Sequence, residues 1–327
     1  KSNLKRIRLI RRLSENTDCG VFLIEGSMGW KTIIISSECT ASLSENRMKL
    51  TIGGDYQTFA LCDIDTVIFA HDKMVMTIPL LSTLVENNIN VVICNKKNDP
   101  VGVFQAFNNH SLAFKRLNSQ INWKITRKKR LWKLIVEQKI ETERDLLVLL
   151  NKNKDTISTL TTYLGSVYTN DQTNREGASA RLYFKELFGK DFVRGEDDVF
   201  NYALNYGYSI LASYISKCIV SRGLVTQLGI HHIGESNPFN LTYDFIEPLR
   251  VIVDAWVYQN ITDKFGGVQK TEIIQILQCK IKLNDKWIRL SDAIEDIVDS
   301  YIMFLNEKTD SVLRISVRKG INFYGED

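Results

Sequence analysis

The chain has 327 residues, 44% of them apolar and 24% charged, with a formal net charge of +4. That composition is ordinary for a soluble globular protein and argues against disorder. No apolar run approaches the roughly 18 residues that a membrane-spanning helix needs. Six cysteines without a single C-x-x-C pair argue against a disulfide frame or a thiolate zinc site and fit reduced thiols in a cytosol. The length suffices for two domains. The net charge is local: residues 1–27 carry six Lys or Arg against three acids, and the other 300 residues carry 36 against 35. Affinity for a polyanion must therefore come from patches rather than from bulk charge.

In chain order, residues 1–27 look foreign to the rest of the sequence. Gly26-Ser27 precedes Met28, the pattern of a cloning scar ahead of a native start, so the segment is expected to be a leader outside the fold. A genuine basic extension is the alternative. From Met28 the hydrophobic period is two. Residues 30–36, 47–52 and 56–61 read as strands, with Gly53-Gly54-Asp55 as a hairpin turn between the last two. Residues 65–70, 89–94 and 101–104 continue the strands, and 78–85 fits a short helix with Pro79 in its first turn.

After Phe107 the period changes to 3.6. Residues 112–138 give a helix with Leu117, Ile121, Ile125, Trp132 and Ile135 as its stripe, and helices are expected at 141–152, 154–167, 174–188 and 197–221. Asn174 suits an N-cap, and Gly189 and Gly223 suit stops. A helix runs on through Asn260, and 286–290 and 312–317 are strand-like. The fold class is α+β, a small N-terminal β-rich domain at 28–107 followed by a larger, mostly α-helical domain at 108–327.

Two stretches carry chemistry. Between Lys115 and Lys133 stand eight Lys or Arg and no acid, which costs self-repulsion unless a polyanion meets it. Lys124, Arg127, Lys128, Lys129 and Arg130 are the candidate DNA contacts, against the plainer reading of a solvated face. The second stretch is 228–250, where His231 and His232 lie in a turn-rich loop ahead of Asp244 and Glu247. A loop imidazole beside helix carboxylates can assemble a divalent metal site. Surface histidines and solvated carboxylates are the plainer reading here too.

Three segments together resemble one family: EGASARLYF at 176–184, NYALNYGYSIL at 201–211 with Gly223-Leu224, and LGIHH at 228–232 running on through NPFNL at 237–241 to DFIEPLR at 244–250. They resemble the CRISPR-associated spacer integrases, Cas1, and MGWKT at 28–32 resembles the type II branch. The likeness runs from Met28 to about residue 260. It implies a β-rich dimerisation domain and a helical catalytic domain. It also implies a catalytic metal set of Glu176, His232 and Glu247 holding Mg²⁺ or Mn²⁺, with Asp244 and Arg250 as supporting residues. Arg250 would either pair with Glu247 or hold a phosphate. Pro248 would either open a helix or kink one.

The activity implied is insertion of new spacers into a CRISPR array, in antiviral defence, by attack of a DNA 3′-OH on a phosphodiester. That exchange of one ester for another needs no ATP, and the sequence contains no G-x-x-x-x-G-K-[ST] loop. The implied partners are double-stranded DNA (protospacer and repeat), a second copy of the chain, the Cas2 dimer, and the type II effector nuclease with its ring-forming accessory protein. No membrane is implied, and the location is the prokaryotic cytoplasm. The rival readings are an idle DNA-binding scaffold and a repair nuclease for branched DNA.

Overall fold

A computed structural model describes residues 7–12, 20–25, 31–96, 100–104 and 111–323. The chain divides into two compact units, one of residues 1–109 with 266–275 and one of residues 110–265 with 276–327.

The N-terminal unit contains two sheets. The elements in order are β1 (Ile7–Arg12), β2 (Gly20–Glu25), β3 (Lys31–Ile35), β4 (Thr40–Ser44), β5 (Arg47–Ile52), β6 (Asp55–Ala60), β7 (Ile64–Phe69), β8 (Val75–Met76), α1 (Ile78–Glu86), β9 (Asn90–Cys94) and β10 (Pro100–Phe104). Six strands form one sheet in the order β1-β2-β3-β7-β9-β10, and four form another in the order β6-β5-β4-β8. β3, β7 and β9 run parallel, as their separation in sequence requires, while β5 and β6 form an antiparallel hairpin. Gly53 and Gly54 both have positive φ, the geometry of a two-residue turn that only glycine adopts without strain. Period-two alternation turns Met48, Leu50 and Ile52 inward from β5, where they join Ile33, Ile35, Val67, Phe69, Leu80 and Val91 in one apolar core.

Two expectations change here. β1 and β2 lie within residues 1–27, yet β2 pairs antiparallel with β3 and β1 pairs with β2. The segment expected to be a leader outside the fold therefore contributes two strands, and the Gly26-Ser27 signal misled. β4 was also missed, because Thr-Ala-Ser-Leu-Ser is too small and polar to read as a strand. Its turn to β5 uses positive φ at Glu45 and Asn46.

The C-terminal unit is helical, with α2 (Ala113–Ile121), α3 (Ile125–Leu149), α4 (Lys154–Leu164), α5 (Arg175–Phe188), α6 (Val199–Ser221), α7 (Asn240–Ile246) and α8 (Arg250–Asn260). Next comes α9 (Gly267–Ile273), which groups with the N-terminal unit. A small sheet comes after it, of β11 (Lys280–Leu283), β12 (Lys286–Arg289) and β13 (Ile315–Ser316), with α10 (Leu290–Leu305) between its last two strands. α3 is the axis of this unit and packs on α4, α5, α8 and α10. It has neither Gly nor Pro over 25 residues, and Leu131, Trp132, Ile135, Val136, Ile140, Leu146 and Leu147 are buried along it. α6 is apolar on nearly every face, as a helix enclosed by others must be.

The helix expected over 112–138 is broken at 122–124, and the gap expected near 139–140 is continuous helix. Where α7 gives way to α8, Glu247–Leu249 forms a 3₁₀ turn around Pro248. Proline lacks a backbone donor, so it sits at the kink between two helices. Substituting Met48 with Ala should lower stability by about 2–5 kcal/mol. Thr51→Ala, on the outward face of the same strand, should cost under about 1 kcal/mol; denaturant melts of both variants check this register.

Candidate active site

Three elements of the C-terminal unit meet at a buried cluster of charge. Glu176 leaves the first turn of α5, which is anchored twice. Asn174 caps it by accepting from Gly177 N at 3.2 Å, and the buried Asp171 carboxylate accepts from Arg175 N at 2.8 Å and Glu176 N at 2.9 Å. Carboxylates suit this end of a helix because its free N–H groups carry partial positive charge. Glu247 comes from the 3₁₀ turn at Pro248 and is buried.

Between the two carboxylates lies the ammonium of Lys139 on α3. Its Nζ donates to Glu176 Oε1 and, at 2.5 Å, to Glu247 Oε2. Arg250 Nε donates to the other Glu247 oxygen at 3.0 Å, and the guanidinium stacks over the Tyr208 ring. Arg250 thus pairs with Glu247, the first of the two roles expected for it. Burial alone would raise the Glu247 pKa, but Arg250 and Lys139 overcome it and hold the carboxyl down at about 2. Burial likewise opposes the charged form of Lys139, and Glu247 and Glu176 outweigh it, so its pKa is raised.

The histidines arrive on a loop folded around one carboxylate. Asp244 is fully buried and accepts from Ile230 N at 2.6 Å, His231 N at 3.2 Å and His232 N at 3.0 Å, and its Oδ1 lies 2.7 Å from His232 Nδ1. The turn is tight enough that a Cβ on Gly229 would collide with the His232 carbonyl and the Asp244 carboxylate. Asn240 ties the loop from beneath, donating to Gln227 O and Gly234 O. Asp244 is thus occupied with holding the loop.

The adjacent histidines have different fates. His231 stacks flat on Trp132 with ring centroids 4.1 Å apart, and partial burial lowers its pKa. The hydrogen bond to Asp244 raises that of His232, despite some burial, and leaves Nε2 as its uncommitted ring nitrogen. Glu247 and Glu176 lie within electrostatic reach of the same ring.

Behind this site is a second polar layer. Glu143, one turn along α3 from Lys139, accepts from Ser179 Oγ, and burial pushes its pKa up to about 8. Asp254 accepts from the hydroxyls of Tyr183 and Tyr208, and burial pushes it up to about 6. Lys139, Asp171 and Glu143 were missed in the sequence, and Trp132 was read only as part of an apolar stripe. A signal was present: the apolar stripe 132, 135, 136, 140 of α3 brackets Lys139 and extends to Glu143, so both charges stand at core positions.

Whether these donors suit a divalent cation turns on their spacing and type. Among the described residues no three His, Cys, Asp or Glu side chains converge closely enough, as they stand, to hold a metal ion. Two carboxylates nevertheless share a single cationic atom, beside an imidazole whose Nδ1 is fixed by a carboxylate. In charge and donor type this set fits a divalent cation, and the position between the two carboxylates is taken by Lys139 Nζ.

The basic run is not the unrelieved patch its sequence suggested. Lys124 pairs with Glu307 at 2.9 Å, and Arg127 pairs with Asp310 at 2.8 Å and packs over Phe304. Arg130 lies 3.6 Å from Asp310. Glu307 and Asp310 stand 183 residues from Lys124 and Arg127 in sequence, where no local reading could find them. Lys128 and Lys129 have no acidic partner among the described residues. Lys128 lines an open groove with Gln120, His232, Ser236 and Asn240.

The model of the family described as "CRISPR associated protein Cas1" matches residues 32–286. The chain belongs to the Cas1 family. It is 30% identical over 301 residues to the CRISPR-associated endonuclease Cas1 of Neisseria meningitidis serogroup C (strain 8013), covering 88% of this chain and 96% of that protein. A second relative, a Cas1 endonuclease of Francisella tularensis subsp. novicida (strain U112), is 28% identical over 51% of this chain and 56% of its own length. In fold the chain resembles a casposase bound to integration product, with TM-score 0.69 and 20% identity over 88% of this chain and 93% of that one. It also resembles a chain of a Cas6-RT-Cas1–Cas2 complex, with TM-score 0.69 and 17% identity, covering 90% of this chain and 37% of that longer one. A β-rich N-terminal region followed by a mostly helical one is the arrangement expected from the sequence.

Substituting Asp244 with Asn should bring the His232 pKa down toward an ordinary imidazole and cost about 1–3 kcal/mol of stability. Because Asp244 raises the folded pKa of His232, the pair's contribution is complete below about pH 6.5 and fades as pH rises through the folded value. Histidine-ring NMR titrations of both proteins read this directly, and His231 should titrate below His232 in the unsubstituted chain.

Proposed function

We propose that the chain is a metal-dependent DNA integrase and endonuclease of CRISPR adaptation, of the type II branch. The observation that carries this reading is the convergence of Glu176 and Glu247, from separate elements, on one buried cationic atom beside the anchored His232. The curated relative's name, an endonuclease, and the fold shared with a casposase bound to integration product support it.

Glu176, Glu247 and His232 Nε2 would hold Mg²⁺ or Mn²⁺, the imidazole favouring Mn²⁺ over Ca²⁺. Such an ion supplies charge neutralisation at the phosphoryl group and a lowered pKa for the attacking hydroxyl. The remaining work falls to the chain's own side chains. Asp244 accepts the Nδ1 proton and so directs the Nε2 lone pair outward. Lys128, on the groove that also includes His232, meets a backbone phosphate as a mobile point charge. Arg250 keeps Glu247 ionised and oriented. In the reaction a DNA 3′-OH gives up its proton as its oxygen bonds to phosphorus, a repeat P–O3′ bond breaks, and the departing 3′-oxygen takes up a proton, so that one ester and one hydroxyl replace another pair. Water in place of the 3′-OH gives the nuclease reaction.

Two-ended insertion needs two such centres, and hence two copies of the chain. In this reading their N-terminal β-rich domains pair, and they join a Cas2 dimer, with the type II effector nuclease and its ring-forming accessory protein as further partners. The Cas1–Cas2 complexes of similar fold support the Cas2 assignment. Among the described residues no helix is long and apolar enough to cross a membrane, and the proposed setting is the prokaryotic cytoplasm. The occupation of both carboxylates by Lys139 favours one rival, an idle DNA-binding scaffold.

A strand-transfer assay with labelled 3′-OH DNA separates these readings. Glu176→Gln, His232→Ala and Glu247→Gln should each abolish transfer, whereas His231→Ala should leave most of it. No transfer by the unsubstituted chain with Mn²⁺, DNA and Cas2 present would favour the scaffold. For DNA binding, Lys128→Gln with Lys129→Gln should reduce the slope of log K against log salt by about 0.9 for each duplex phosphate that is no longer neutralised. Arg127→Gln should instead lower stability, since its guanidinium serves Asp310 and Phe304.

A further inference from the structure

Lys139 is hard to explain as a structural residue alone. Its ammonium is buried, with the side chain 8% exposed, and it bridges two carboxylates that belong to different elements. Burying the ammonium and the Glu247 carboxylate costs several kcal/mol per ion before attraction repays it, so a packing role is better served by an apolar side chain. Glu247 is also already paired through its other oxygen with Arg250. The lysine therefore adds a second cation to a carboxylate that has one, and reaches across to Glu176 besides. It stands on the buried face of α3, about one turn after Val136 and one turn before Glu143. Glu143, one turn further along, contributes to the field at the ammonium and accepts from Ser179. A flexible stem of this kind can carry its charge a few ångströms without moving the helix.

We propose that Lys139 is a resident counter-cation that competes with the divalent metal for Glu176 and Glu247, so that metal entry requires its ammonium to withdraw from between them. The inference rests on the metal-site reading given above. Before metal binds, the ammonium keeps two like charges together that would otherwise repel across a buried gap. Binding then exchanges one cation for another at a site already assembled, and its affinity is set by the difference between them. A withdrawn ammonium has Glu143 within one turn as its next partner.

The test is Mn²⁺ binding to the full chain, measured by calorimetry and by electron paramagnetic resonance of the free ion. Lys139→Met and Lys139→Gln should bind Mn²⁺ at least tenfold more tightly than the unsubstituted chain. Their thermal midpoints should be lower without metal and should rise further with it. A merely structural lysine would give the lower midpoint without the tighter binding. Equal or weaker binding in a folded variant, with Glu247→Gln still abolishing it, overturns the role of Lys139 and leaves the metal site standing. If Glu247→Gln binds as well as the unsubstituted chain, or none of the proteins binds, the metal-site reading fails and this inference with it. Should neither lysine variant fold, amine-reactive labelling of the unsubstituted chain read by peptide mass decides the matter. Saturating Mg²⁺ should speed modification of Lys139, and an unchanged rate overturns the proposal.

Discussion

A lysine ammonium placed between two glutamates inside a helical unit is tolerable only if the surrounding frame holds all three groups in register. The buried ammonium and the buried Glu247 carboxylate carry a desolvation cost that attraction repays only at hydrogen-bonding distance. The unit is built accordingly. α3 carries Lys139 on its buried stripe, Asp171 and Asn174 anchor the first turn of α5 beneath Glu176, and Pro248 fixes a 3₁₀ turn that aims Glu247. The last two are features of backbone termination rather than of side-chain packing. Helix ends offer free N–H groups and abrupt changes of direction, which is why the site lies where an element starts or kinks.

The frame continues outward in layers of decreasing charge. Behind the ion cluster, Asp254 is held by two tyrosine hydroxyls and Glu143 by a serine. Behind those lie the fully buried apolar residues of α6 and α10. Glu143 and Asp254 thus each meet a hydroxyl donor rather than hydrocarbon alone. Neighbouring residues of one type can then differ in function. His231 and His232 share a loop, yet one is a flat surface against Trp132 and the other is oriented through its ring nitrogen by Asp244.

What could be read in the sequence were features that act locally. The Gly53-Gly54 hairpin, the Asn174 cap of α5, the Pro79 start of α1 and the change of period after Phe107 all express the preferences of a few adjacent residues, and the structure follows them. Glu176, His232 and Glu247 were singled out only together, through three motifs in order, since each alone has an ordinary explanation. What escaped is non-local. Lys139 fell in an assumed gap between helices, and its meaning depends on carboxylates 37 and 108 residues away. Glu307 and Asp310 relieve the basic run from the far end of the helical unit's sequence. The strands β1 and β2 were set aside because Gly26-Ser27 ahead of Met28 has the pattern of a cloning scar, while their place in the sheet depends on pairing with β3 beyond it.

The loop around Asp244 has a consequence for how such a site can change length. From Gly229 to His232 the backbone is held in place by three hydrogen bonds to one carboxylate and by the absence of room for a Cβ at Gly229. An insertion or deletion of one residue there would shift the imidazole off its acceptor. The tip of the loop, at Ile233, Gly234, Glu235 and Ser236, is exposed, and beyond it Asn240 and Asp244 re-engage the loop from the same short helix. Residues can be added at that tip while the histidine stays in place. The tip is thus the place where this loop can vary in length while the orientation of His232 is kept.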